Sequence, residues 1–93
     1  IRYNEGMEKA LTIKKVNAAF AALGIPERLA RARGYFFFYG GAAPTWPKST
    51  VFVERLNDKT LAEWVYARDY AESQARPTLF PYYEQYMREI GKA

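Results

Sequence analysis

The chain contains no histidine and no cysteine. Catalysis near neutral pH leans most often on histidine, or on a cysteine or serine that a neighbouring base activates. Hydrolytic triads, thiol chemistry, disulfides and imidazole or thiolate metal sites are therefore excluded, and neither metal nor cofactor is expected. No apolar run approaches the roughly 18 residues that suggest a membrane span. The N-terminal residues have no apolar core ending in a small-residue cleavage site, so a cytoplasmic location is expected.

What the chain does have is apolar and aromatic weight. With 93 residues, 49% of them hydrophobic and 17% aromatic, it can bury one core but not two. A single domain over residues 1–93 follows. Met7 can serve as a native start, and residues 1–11, which lack a clear period, are expected to be a disordered or helical extension. The net charge of +4 is uneven: residues 1–25 carry +2, residues 26–56 carry +3 and residues 57–93 carry −1. A basic balance of this size suits an acidic protein face or nucleic acid without specifying either.

Ile13, Val16, Phe20 and Leu23 recur at helical steps between a capping Thr12 and a terminating Gly24, which predicts a helix over 12–23. Glu27 to Arg33, after Pro26, fits either a short helix or the approach to a strand. The aromatic run 34–39 and the β-branched run 50–56 predict two strands. Between them lies a ten-residue loop, GGAAPTWPKS, too long for a tight hairpin turn. Thr60 and Glu63 form a capping box that opens a helix over 60–75, and after Pro77 a third helix should run from about Thr78 to Gly91. The expected fold is α+β: an N-terminal helix, an antiparallel two-stranded hairpin with a long loop, and two C-terminal helices.

Chemistry-bearing residues are sparse. Glu54, Asp58, Glu63, Asp69, Glu72, Glu84 and Glu89 are spaced as surface charges, with Glu72–Arg76 and Glu84–Arg88 in the favourable i, i+4 order of a solvated helix face. Gly40-Gly41 through Lys48-Ser49-Thr50 leads into a strand and lacks phosphate-loop spacing. Trp46, between prolines, is either a lid over the core or an exposed anchor for a partner. Residues 30–39 taken as one strand divide into Ala30, Ala32, Gly34, Phe36, Phe38 and, opposite, Arg31, Arg33, Tyr35, Phe37, Tyr39. The second face interleaves guanidinium groups with rings, a surface suited to a protein hot spot or to stacked bases beside phosphates, unless helices cover both sides. Tyr82, Tyr83 and Tyr86 make a further cluster on the last helix, suited to a helix edge or a dimer contact.

Arg33-Gly34-Tyr35-Phe36-Phe37 resembles the RNP1 signature of RNA-recognition domains in its basic residue, glycine and two aromatics. It departs from it at Phe36, which takes a Gly/Ala position, and at Gly40, where the last aromatic belongs. A closer likeness rests on GYFFFYGG, Trp46, STVFVERL and TLAEW, over about residues 13–66. This arrangement resembles a group of small uncharacterised proteins from proteobacteria and their mobile elements. The resemblance implies the element order and a bacterial or phage origin, and no activity.

The expected function is thus non-catalytic: an interaction module that meets a protein partner or a second copy of itself through Arg31, Arg33, Tyr35, Tyr39, Trp46 and Lys48. Strand addition at open sheet edges would provide the homodimer. The alternative is a nucleic-acid-binding accessory protein of a mobile element, with Lys14, Lys15, Arg28, Arg31, Arg33 and Lys48 on phosphates. A third class, an inhibitor mimicking a surface, would favour an acidic face. No membrane contact is expected.

Overall fold

The computed structural model describes residues 10–92, so the extension expected over 1–11 lies, but for its last two residues, outside the described residues. The fold is α+β, with a three-stranded antiparallel sheet in the order β1-β2-β3. Helix α1 (Ile13–Ala22) is capped by Thr12, whose hydroxyl accepts from the Lys15 amide, and it ends before Gly24. Strands β1 (Arg28–Ala32) and β2 (Tyr35–Tyr39) form the hairpin, and β3 (Thr50–Val51) pairs with β2 alone. Helix α2 (Leu61–Ser73) opens on the reciprocal Thr60–Glu63 capping box. Helix α3 (Pro81–Lys92) starts on a proline, where the missing N–H is no loss, and runs through Gly91.

The expected two-stranded hairpin is corrected here. The tight turn lies at Arg33-Gly34, inside the stretch that looked like one strand, and Gly34 supports it with φ +87°. The segment from Glu27 to Arg33 is therefore mostly β1, the strand added to the expected pair. Conversely, only Thr50 and Val51 of the stretch 50–56 join the ladder, and Leu56–Asp58 turn into a single 3-10 turn.

One face of the sheet carries Leu29, Phe36, Phe38 and Val51, since paired residues share a face. Phe20 of α1 stacks on Phe38 at 6.2 Å, and Trp64 of α2 meets Phe36 edge-on at 5.3 Å. Both helices thus lie on that one face and, with Val16, Ile25, Leu56 and Val65, close the core between sheet and helices. Trp64 Nε1 donates to the Leu56 carbonyl at 2.9 Å, which satisfies its one polar group and fixes the entry to α2. Helix α3 packs on α2.

Candidate binding surface

The outer face of the sheet carries Arg28, Ala30 and Ala32 on β1, Tyr35, Phe37 and Tyr39 on β2, and Thr50 on β3. Phe52, next in alternation, joins them: its ring lies 5.6 Å from Tyr35. Tyr35, Phe37 and Tyr39 continue the row at 6.4 and 6.3 Å. Among the described residues, the helices packed on the sheet lie on the opposite face, so Phe52 stays 72% exposed and Tyr39 49%. A row of four rings with open water on one side is far from the usual scatter of single exposed apolar residues.

The structure brings together some of the expected residues and separates others. Tyr35 and Tyr39 share the outer row, and Arg33 sits exposed on the turn beside it. Arg31 pairs with Phe36 and so points to the core side, its guanidinium 4.9 Å above the Phe36 ring. The cause is the turn at Arg33-Gly34, which breaks the alternation assumed for a continuous strand. Trp46 is a lid: the 3-10 turn Ala43–Thr45 delivers it into the core, where it meets Phe38 edge-on at 6.1 Å. Its buried Nε1 has no acceptor among the described residues. Lys48 lies away from the row, on a groove beside α2. Arg28 lies on the outer face, yet its guanidinium folds back onto the Ile25 and Glu27 carbonyls at 2.6 and 2.8 Å.

The edges of the sheet are less open than two unpaired strands would be. Asn17 of α1 covers β1: its amide donates to the Leu29 carbonyl at 3.0 Å and accepts from the Leu29 N–H at 2.7 Å. This side chain does what a neighbouring strand would do and blocks pairing at that point. On the other edge β3 is only two residues long.

A buried ionic cluster holds the layers in register. Glu27, Arg68 and Asp69 are each at most 3% exposed. Arg68 Nε reaches Glu27 Oε1 at 2.9 Å, while one terminal nitrogen reaches Asp69 at 2.7 Å and Glu72 at 2.6 Å. Glu27 Oε2 accepts from the Ala42 amide at 2.7 Å, and Asp69 Oδ2 from the Tyr83 amide at 2.8 Å. The guanidinium also lies over the Trp46 and Tyr82 rings at 5.2 and 4.7 Å. Asp69 and Glu72 are therefore not the solvated charges their spacing suggested, although the Glu72–Arg76 pair forms as expected. Burial works against the Arg68 charge, and its hydrogen bonds to Glu27 and Asp69 outweigh this and raise its pKa. Burial also pushes the Asp69 carboxyl up, against the Tyr83 amide and Arg68. The cluster thus ties the segment before β1 and the Gly40-Gly41 loop to α2 and α3.

Sequence reasoning missed Phe52 and the closing of the cluster by Glu27. Phe52 followed from period two once β3 was placed; Glu27 had no local signal, because Arg68 is 41 residues away. Among the described residues no group of three or more histidine, cysteine or acidic side chains could hold a metal ion, and no helix is long and apolar enough to cross a membrane. Comparison of the chain with family models, curated proteins and solved structures finds no match.

Proposed function

We propose that the chain is a non-catalytic interaction module whose outer sheet face meets another protein surface, and that the surface it fits best is a second copy of itself. The observation that carries this is the open row Phe52–Tyr35–Phe37–Tyr39. Apolar rings with polar tips are the side chains that dominate association energies. The row is self-complementary, and the Arg28 guanidinium that could repel a second copy is already tied to backbone carbonyls. Association through the face rather than the edges is favoured by Asn17, which occupies the β1 edge. Two five-residue strands with Thr50–Phe52 beside them, at ~4.8 Å between strands and ~3.3 Å per residue, give a footprint of roughly 200 Å², so a weak, reversible dimer is expected rather than an obligate one.

The nucleic-acid reading needs several free cations on one surface. Lys14 and Lys15 lie on α1, Arg31 is exposed but on the opposite side of the sheet from the row, and Lys48 lies on the groove, which leaves Arg33 alone beside the row. The test is solution mass by light scattering in low and high salt, with and without a mixed oligonucleotide pool. A dimer that persists in salt supports the module; mass gained only with oligonucleotide and lost in salt overturns it.

A further inference from the structure

A concave feature lies between α2 and the β2–β3 side of the sheet, apart from the aromatic row of the outer face. It is an open groove of about 660 Å³, within the range of small-ligand sites. One wall is the α2 stripe Tyr66, Tyr70 and Gln74, spaced four residues apart so that all three fall on one side of the helix. The two tyrosine rings stack at 6.5 Å with only 12° between their planes, and each is about half exposed, at 46% and 52%. Phe38 contributes to the apolar floor.

The groove also carries two ammonium groups, Lys48 from the loop before β3 and Lys59 from the segment leading into α2. No carboxylate lines it, and neither lysine makes an ion pair among the described residues. Two lysines lining one concave groove, with no carboxylate among its lining residues, give it a positive potential. An uncharged apolar ligand would make no use of the two lysines. A bare inorganic anion would leave the tyrosine wall and the Phe38 floor unfilled. What satisfies both halves is a planar ring joined to an anionic group.

We propose that this groove binds a small planar-ringed anion of about nucleoside-monophosphate size, with the ring against Tyr66 and Tyr70 and the anionic group held by Lys48 and Lys59. The site is independent of the dimer reading, since none of these residues is in the aromatic row of the outer face. Lysine holds phosphate or carboxylate as a point charge, so either source of the anion fits the chemistry.

The experiment is an amide NMR titration of the full chain with four probes: adenosine 5′-monophosphate, adenosine, inorganic phosphate and 2-naphthoate. Saturable shifts confined to residues around 48, 59 and 66–74 are expected with the monophosphate or the naphthoate, the stronger of the two identifying the anion. Adenosine and phosphate should each bind at least about tenfold more weakly than the probe that joins ring to charge. The double variant Lys48→Gln/Lys59→Gln should bring the ring-bearing anion down to the level of adenosine, whereas Lys14→Gln/Lys15→Gln should leave it unchanged. Tyr70→Ala should weaken the ring-bearing anion and leave phosphate unaffected. All of these side chains are at least partly exposed, and an unchanged amide spectrum before titration shows that each variant folds. Absence of saturable shifts with both ring-bearing anions, or shifts spread over all basic residues without saturation, overturns the proposal.

Discussion

Replacing Gly41 by alanine tests whether the ionic cluster locks the Gly40-Gly41 loop to the helices. A Cβ at this position would stand 2.3 Å from Glu27 Oε2 and 2.8 Å from its Cδ. A carboxylate on the surface would swing aside at little cost. Glu27 cannot, because it is fully buried and its two oxygens are held by the Ala42 amide and Arg68 Nε. The backbone adds a smaller cost: φ is +51°, a left-handed conformation that disfavours alanine by about 1 kcal/mol. Full loss of one partner from a buried pair costs about 3–5 kcal/mol, and Arg68 would keep Asp69 and Glu72, so a total of about 2–4 kcal/mol is expected. Gly34→Ala supplies the control. Its φ of +87° carries the backbone cost, but no atom lies within 4 Å of its Cβ position, so about 1 kcal/mol is expected there. Urea denaturation of both variants against the parent gives the two losses directly. Gly41→Ala should lose at least about twice as much as Gly34→Ala; equal losses would refute the claim that Glu27 is held fast.

Other expectations follow from single side chains. Burial raises the Asp69 pKa above its ordinary 3.8, so the folded chain holds that proton more tightly than the unfolded chain. The Asp69 contribution to stability is therefore greatest below pH 3.8 and falls as pH rises through the raised value; Asp69→Asn removes this slope, and urea melts at several pH values above 3.8 should show the parent losing stability relative to the variant. A difference constant with pH would contradict this. Asn17→Ala leaves the Leu29 N–H and carbonyl without their partner, which should cost about 1–3 kcal/mol in thermal unfolding and lift hydrogen-exchange protection at Leu29 first. Phe80, at φ +56°, combines a strained backbone with a ring 4.9 Å from Tyr66. Phe80→Gly should therefore destabilise the chain less than Phe80→Ala, by about 1 kcal/mol in chemical melts, because glycine relieves the backbone while both lose the ring.

The elements that the sequence made plain are those whose signals are local. Thr12, Gly24 and the Thr60–Glu63 box each act within a few residues of themselves, and all three mark helix ends as expected. The sheet was harder because its decisive turn is Arg33-Gly34, which lacks the Asn-Gly or Asp-Gly signature and sits inside an aromatic run. Missing it reversed the side on which Arg31 projects, so the arginine–tyrosine stripe separated into a ring row on the outer face and an exposed cation over Phe36 on the other side of the sheet. Asp69 and Glu72 were misplaced for another reason: helical spacing shows which residues share a face, but not that Glu27 and Arg68, 41 residues apart, meet to bury them. Trp46 was open between lid and anchor, and the carbonyl-to-amide turn Ala43–Thr45 decides for the lid. The aromatic character of β2 was legible from the start; that one of its faces stays open depends on where the helices pack.

Association through the outer sheet face sets how mass depends on concentration in sedimentation equilibrium. The parent chain is compared with the double variant Tyr39→Glu/Phe52→Glu, both residues being exposed and outside the core. The parent should form a weak dimer in low and high salt, and the variant should be a folded monomer at the same concentrations. A parent that remains monomeric to millimolar concentration, or a variant that dimerises as the parent does, would contradict it.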